Sequence, residues 1–366
     1  MWEYGALLPV ERPQAAVTLY EGGTPLLRAA GDWGCRLWLK DETRNPTGSH
    51  KDRALSVAIT RGRELGFTAC AVISASSTGL STATYAARAG MRCAVVVPAG
   101  TPGDRLVPRA LYGARILESP GTFEVALRLV ADLATSGDTP PIYLTSTYRR
   151  GNPYQAEGPR TIGFEIAAQL AAASQNPCPD WIVVPTGGGG TAAAIWRAYQ
   201  ELQAWGALPA GAPLPRIATV QPAVYNGLEV ALARGLRTEE DLAGLGISEE
   251  TPTVQAKLQH GVPPDALYAL AALRESEGAA TSVSDEAALA AQRRLATTEG
   301  IFAEPSAAAA LAGVERLVAE GAISPDETVA ALVTGSGFRE LAAVATHTGL
   351  ARTPLTASSL IAALAG

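Results

Sequence analysis

Lysine is scarce in this chain of 366 residues: Lys40, Lys51 and Lys257 are the only three, and arginine supplies the rest of the 29 basic side chains. Acidic residues number 35 and the net charge is −6. That is a poor electrostatic match for nucleic acid, which is met by clustered Lys and Arg. Cysteine is sparse as well. Cys35, Cys70, Cys93 and Cys178 are scattered without a C-x-x-C pair, which argues against a disulfide framework and a zinc site, so no metal is expected. Cys70 and Cys93 fall in apolar, strand-like runs where buried thiols are common, and a reducing cytoplasm suits them. No apolar stretch reaches the roughly 18 residues that suggest a membrane span. Residues 1–14 carry Glu3 and Glu11 and no basic segment leading into an apolar run, which is not the pattern of a secretory signal.

What is present is material for a large alanine-rich core, since 47% of the residues are hydrophobic and only 6% aromatic. The length predicts two lobes. Short apolar runs read as strands at Arg36–Lys40, Ala69–Ser74, Arg92–Pro98, Ala114–Leu117, Trp181–Pro185, Arg216–Val220 and Thr328–Thr334. Helical patterns lie between them near Lys51–Leu65, Gly79–Ala89, Phe123–Ala134, Glu157–Ala172, Thr191–Ala204, Asp285–Thr298 and Ser306–Ala319. Strands alternating with helices predict an α/β fold with mostly parallel sheets. Thr139–Pro159 reads as an irregular connection between lobes, and Asn226–Gly278 as loops facing substrate or a second subunit.

Two segments carry chemistry. Lys51 stands in Asn45-Pro46-Thr47-Gly48-Ser49-His50-Lys51-Asp52-Arg53, a turn that opens a helix. The positive end of a helix dipole lowers a lysine pKa there, and imine formation requires the neutral amine. A solvated surface lysine is the bland reading. Arginine replaces lysine freely at such sites but forms no Schiff base, so the retention of Lys51 favours chemistry. Further on, strand Trp181–Pro185 runs into Thr186-Gly187-Gly188-Gly189-Gly190-Thr191 and then a helix, an arrangement whose bare amides cradle a phosphate. There is no G-x-x-x-x-G-K-[ST], so no nucleotide P-loop. The strand at Arg216–Val220 ends in Gln221-Pro222 where a dinucleotide site wants an acid, which disfavours NAD.

With these residues the chain resembles the fold-type II pyridoxal-phosphate (PLP) enzymes, and their threonine synthase branch most closely. Five blocks carry the resemblance: Glu21 to Leu27; Asn45 to Arg53; Glu157 to Thr161 with Phe164-Glu165-Ile166; Pro185 to Thr191; and Glu299 to Ala308 followed by Thr334-Gly335-Ser336-Gly337. It implies a two-lobed, tryptophan synthase β-like fold, with an N-terminal lobe at 20–155, a C-terminal lobe at 156–350, and PLP in the cleft. It also implies a homodimer acting on a small amino acid. Lys51 then carries PLP as a Schiff base and is the base at Cα. Gly187, Gly188, Gly189, Gly190 and Thr191 form the phosphate cradle, and Thr334 bonds the pyridine nitrogen. A neutral hydroxyl there favours elimination and replacement over transamination. Together these imply a carbon–oxygen lyase.

In Ser74-Ala75-Ser76-Ser77-Thr78-Gly79-Leu80 the family's Asn, which touches the PLP phenolate oxygen, maps to Ser77 or, in another register, to Leu80. Counting from both sides gives Ser77. Ser74 and Thr78 of this loop are expected on the substrate side, although Ser and Thr here also suit a helix cap. The substrate site departs from the family pattern. Gln155 stands where threonine synthases clamp phosphate with Arg, and Arg149 and Arg150 appear nearby as candidate anion contacts. His50 replaces the usual Phe and is either packing or a proton shuttle. Glu304 marks the place of a possible monovalent cation. The alternatives are a serine/threonine-type dehydratase, a cysteate-synthase-like β-replacement enzyme, and a non-catalytic PLP-binding protein.

Overall fold

The apolar runs expected as strands pair into two sheets. The computed structural model describes residues 1–119, 141–146, 148–248 and 251–341 with a few isolated positions. The helix expected near Phe123–Ala134 lies outside the described residues, as does the end of the second expected lobe, 342–350. The larger sheet has six strands in the order β1 (Leu26–Arg28), β2 (Arg36–Asp41), β10 (Thr328–Val333), β7 (Trp181–Pro185), β8 (Arg216–Pro222) and β9 (Ala279–Val283). Only β1 is antiparallel to its neighbour among these. The smaller sheet is parallel throughout, in the order β5 (Arg115–Ser119), β4 (Arg92–Pro98), β3 (Ala69–Ile73) and β6 (Tyr143–Leu144).

Helices cover both faces of the larger sheet, which is why its strands read as unbroken apolar runs. On one face lie α4 (Arg160–Ser174), α5 (Gly190–Ala204), the short α6 (Gly227–Arg234) and α7 (Glu239–Ala243), and α8 (Ala266–Glu275). On the other lie α9 (Asp285–Glu299) and α10 (Pro305–Ala319). The period of two is visible along β7: Ile182 and Val184 share a core with Ile162 and Leu170 of α4, whereas Trp181 and Val183 share one with Ala307 and Leu311 of α10. The smaller sheet packs with α1 (Lys51–Glu64), α2 (Ser77–Ala89) and α3 (Gly103–Leu111) through Leu55, Ile59, Val72, Tyr85 and Val95.

The sheets do not divide the chain at one point. β1 and β2 precede Lys51, yet they pair with β10 in the larger sheet. A break between residues 155 and 156 therefore does not separate the two sheets. Among the described residues no helix is long and apolar enough to cross a membrane.

Candidate active site

Parallel strands aim their carboxyl ends at one edge, where ligands gather in open α/β sheets. Here the edges of both sheets contribute. β3 leads into Ser74–Thr78, β7 into the glycine turn, and β10 into Thr334; all line one cavity of ≈150 Å³ together with Lys51. The lysine is tied to the end of β10 by its own turn: the His50 amide donates to the Thr334 carbonyl at 3.0 Å, and Ser49 bridges to Gly335.

Lys51 is the first residue of α1 and part-buried in the cavity wall. Removal from water holds its pKa below the ordinary lysine value, while the Asp265 carboxylate pulls the other way. The two histidines in the wall stay neutral. Burial, with Lys51 adding to it, brings His50 down to about 3 and His260 to about 4. Nδ1 of His50 lies 3.2 Å from the Thr334 carbonyl, so its proton sits on that nitrogen.

The glycine turn owes its bareness to the segment packed against it. Gly189 has φ +95°, and a Cβ there would sit 2.9 Å from the Asp265 carbonyl oxygen. A Cβ on Gly190 would lie 2.6 Å from Asp265 Oδ2, and one on Gly187 2.9 Å from the Lys257 carbonyl oxygen. The amides of Gly187, Gly188, Gly189, Gly190 and Thr191 find no acceptor among the described residues. Five free amides at a helix N-terminus form an anion seat of phosphate size.

Ser74, Ser77, Thr78 and Gln155 also line the cavity. Thr78 Oγ1 and Gln155 Oε1 are buried and have no hydrogen-bond partner among the described residues, so both are able to meet a ligand group. The capping alternative has less support: Ser76 stands at the N-cap of α2 without a side-chain cap bond. Ser77 instead accepts a bond from Arg339 Nη1 at 3.0 Å. Arg149 and Arg150 are not brought to the cavity. Arg150 is 85% exposed and bonds Glu239 at 2.9 Å. Arg149 stacks over the Tyr268 ring at 4.8 Å, with Glu157 3.7 Å away. Each guanidinium is drawn to another partner.

Sequence reasoning missed Lys257, His260 and Asp265, which come from the segment read only as loops, and singled out Glu304 only as the place of a monovalent cation; all four line the wall. Lys257 and Glu304 form an ion pair. Asp265 stands at the N-cap position of α8, which invites the reading of a cap, but its side chain makes no cap bond. Its Oδ1 accepts the Arg149 amide at 3.2 Å instead, and burial raises its pKa.

A lysine amine biased toward neutrality, a phosphate seat and a neutral hydroxyl partner surround one cavity. This donor set fits a phosphorylated aldehyde cofactor. The model of the pyridoxal-phosphate dependent enzyme family matches residues 17–335. Threonine synthase from Methanosarcina acetivorans is 41% identical over 81% of this chain and 69% of its own. That from Halalkalibacterium halodurans is 34% identical over 80% and 76%. Among solved structures, threonine deaminase isoform 2 from Solanum lycopersicum superposes with a TM-score of 0.71 at 20% identity, covering 89% of this chain and 88% of that one. O-ureido-L-serine synthase gives 0.71 at 21%, covering 95% and 99%; at such identities the likeness is one of fold. The chain belongs to the pyridoxal-phosphate dependent enzymes of fold type II, and PLP is its cofactor.

Proposed function

We propose that this chain is a threonine-synthase-like lyase whose reaction converts O-phosphohomoserine and water to threonine and inorganic phosphate. The observation that carries the reading is a single cavity shared by the Lys51 amine, the free amides of Gly187–Thr191 and the Thr334 hydroxyl. In this reading Lys51 would carry PLP between turnovers, the amides of Gly187, Gly188, Gly189, Gly190 and Thr191 would hold its phosphate, and Thr334 and Ser77 would hydrogen-bond its ring. The cofactor supplies an electrophilic carbonyl carbon and an electron sink that acidifies the Cα proton of the bound amino acid.

The chain's own residues do the rest. Lys51 takes the proton from Cα and returns protons along the side chain, a task that suits an amine with a depressed pKa. Ser74 and Thr78 offer hydroxyl donors to the substrate carboxylate, and Gln155 Oε1 accepts from an N–H or O–H elsewhere on the substrate. His50 stays neutral and braces Thr334 through its carbonyl.

Gln155 favours a second reading. A neutral amide at this wall suits a hydroxyl leaving group, as in a serine or threonine dehydratase. Product analysis separates the two. The holoprotein is given O-phosphohomoserine, O-phosphoserine, serine and threonine in turn. Threonine with stoichiometric phosphate from the first substrate alone supports the proposal; a 2-oxo acid from serine or threonine supports the dehydratase. Absence of product from all four sinks both. A homodimer in the cytoplasm belongs to the same proposal, and sedimentation of the holoprotein tests the dimer.

A further inference from the structure

The segment that carries Lys257, His260 and Asp265 is fastened to the glycine turn at both ends. The Lys257 carbonyl oxygen lies 2.9 Å from where a Cβ on Gly187 would stand, and the Asp265 amide donates to the Gly188 carbonyl at 2.8 Å. Between these anchors the His260 ring reaches the turn, with Cδ2 3.1 Å from the same prospective Cβ. The ring lines the cavity that holds Lys51, and its nitrogens form no hydrogen bond among the described residues. Sheltered polar groups in native proteins nearly all have partners, so this imidazole is open to a ligand or a water in the cavity.

The other ionisable groups of the wall are engaged. His50 is turned to the Thr334 carbonyl through Nδ1, and Glu304 is held by Lys257. Asp265 accepts the Arg149 amide on Oδ1, and its Oδ2 stands 2.6 Å from a prospective Cβ on Gly190, against the phosphate seat. Lys51 is committed to the Cα proton in the proposed reaction; once it holds that proton it is an ammonium, with no acceptor left. The same reaction consumes water, and a water that attacks carbon must give up a proton.

We infer that His260 is a second catalytic residue, the general base for the water that adds to the substrate, a role that rests on the threonine-synthase-like reading. Its ring takes a proton from water as the water oxygen bonds to Cβ, the carbon next to the one that has lost phosphate. One O–H bond breaks and one C–O bond forms. The electron pair displaced from the Cα–Cβ double bond becomes a C–H bond at Cα, with a proton from Lys51. The imidazolium passes its proton to the released phosphate, so water gives a hydroxyl to carbon and a proton to phosphate, and the ring is neutral again. Burial, and then the charge of Lys51, keep the ring unprotonated between turnovers, which is the form a base needs.

The test uses the holoenzyme with O-phosphohomoserine and reads threonine, inorganic phosphate and 2-oxobutanoate together. An amino acid that loses phosphate and gains no hydroxyl leaves as an enamine, which hydrolyses in solution to 2-oxobutanoate and ammonia. His260→Gln keeps a polar group without a basic nitrogen. It is expected to lower the threonine formed per phosphate released by roughly tenfold or more, since a positioned base contributes about 10²–10⁴ to its own step. 2-Oxobutanoate is expected to make up the difference. In His260→Ala, added imidazole is expected to restore part of the threonine; a ratio that stays low assigns the loss to packing and overturns the base. If His260→Gln loses its fold or its cofactor absorbance, His260→Asn decides by the same ratio. A ratio equal to the parent's, whatever the rate, overturns the role and leaves the function intact. A parent that makes no threonine from O-phosphohomoserine overturns the function, and this role with it.

Discussion

His50 and His260 stand in the same cavity wall as Lys51, and their neutrality has a consequence for acid stability. Burial holds them at about 3 and about 4 in the folded chain, whereas an unfolded histidine titrates near 6.5. Below about pH 6.5 the unfolded chain therefore binds protons that the folded chain refuses, and stability falls as the pH is lowered through that window. Asp52 acts in the opposite direction. Burial raises it to about 6, so the folded chain holds its proton first and gains stability as the pH falls from there. A His50→Gln/His260→Gln protein keeps the Asp52 contribution and loses the histidine one. Between about pH 7 and about pH 4.5 it is expected to lose roughly 2 kcal/mol less stability than the parent, after allowance for the part-open wall. Urea unfolding at the two pH values measures the difference. Equal losses would mean that the histidines accept protons in the folded state.

The turn between β7 and α5 behaves as an element whose residues are unequal despite their identical side chains. Gly189 has a positive φ and the Asp265 carbonyl 2.9 Å from a prospective Cβ, whereas at Gly188 the nearest atom is Pro264 Cγ at 3.4 Å. Gly189→Ala is expected to cost about 1–2 kcal/mol from backbone conformation alone, and to weaken PLP binding by displacing the amides. Gly188→Ala is expected to stay within about 0.5 kcal/mol. Thermal unfolding and cofactor titration of the two variants check the order, and a Gly188→Ala loss equal to that of Gly189→Ala would show that the contacts with 257–265 do not shape the turn. This element was legible in the sequence because strand, glycines and helix are consecutive. Its partner was not. His260 and Asp265 lie in a stretch with short helices and no sustained period, and Asp265 sits where a cap is expected. β9 was missed because Ala279-Ala280-Thr281-Ser282-Val283 has little apolar bulk and borders the sheet. Sequence also supplied the charge of Arg149 and Arg150 but not their direction, which Tyr268, Glu157 and Glu239 decide from distant positions.

At the scale of the molecule the two sheets must be held in fixed relation, because Lys51 comes from the smaller and the glycine turn from the larger. Arg53, two residues beyond Lys51 and fully buried, spans them. It bonds Glu42 through Nε and Nη2 at 2.8 and 2.7 Å, and Glu165 through Nη1 and Nη2 at 2.6 Å each. Lys40 of β2 bonds Glu165 at 2.7 Å, and Glu165 belongs to α4 against the larger sheet. Burial pushes both carboxyls up, yet Arg53 and then Lys40 hold them below the ordinary range. Arg53→Met removes the shared cation and leaves the buried Glu42 carboxylate without an ion-pair partner among the described residues, while Glu165 keeps Lys40. The expected destabilisation is about 3–5 kcal/mol, the usual result of breaking a buried pair from one side. Adding Glu42→Gln to Arg53→Met takes away the stranded charge and is expected to restore part of that stability, whereas a mere packing role for Arg53 predicts that the second change makes matters worse. Urea unfolding of the parent, the single and the double variant decides between them. Cofactor occupancy should fall in step with stability in the single variant, since the same guanidinium that joins the sheets also sets the helix that begins at Lys51.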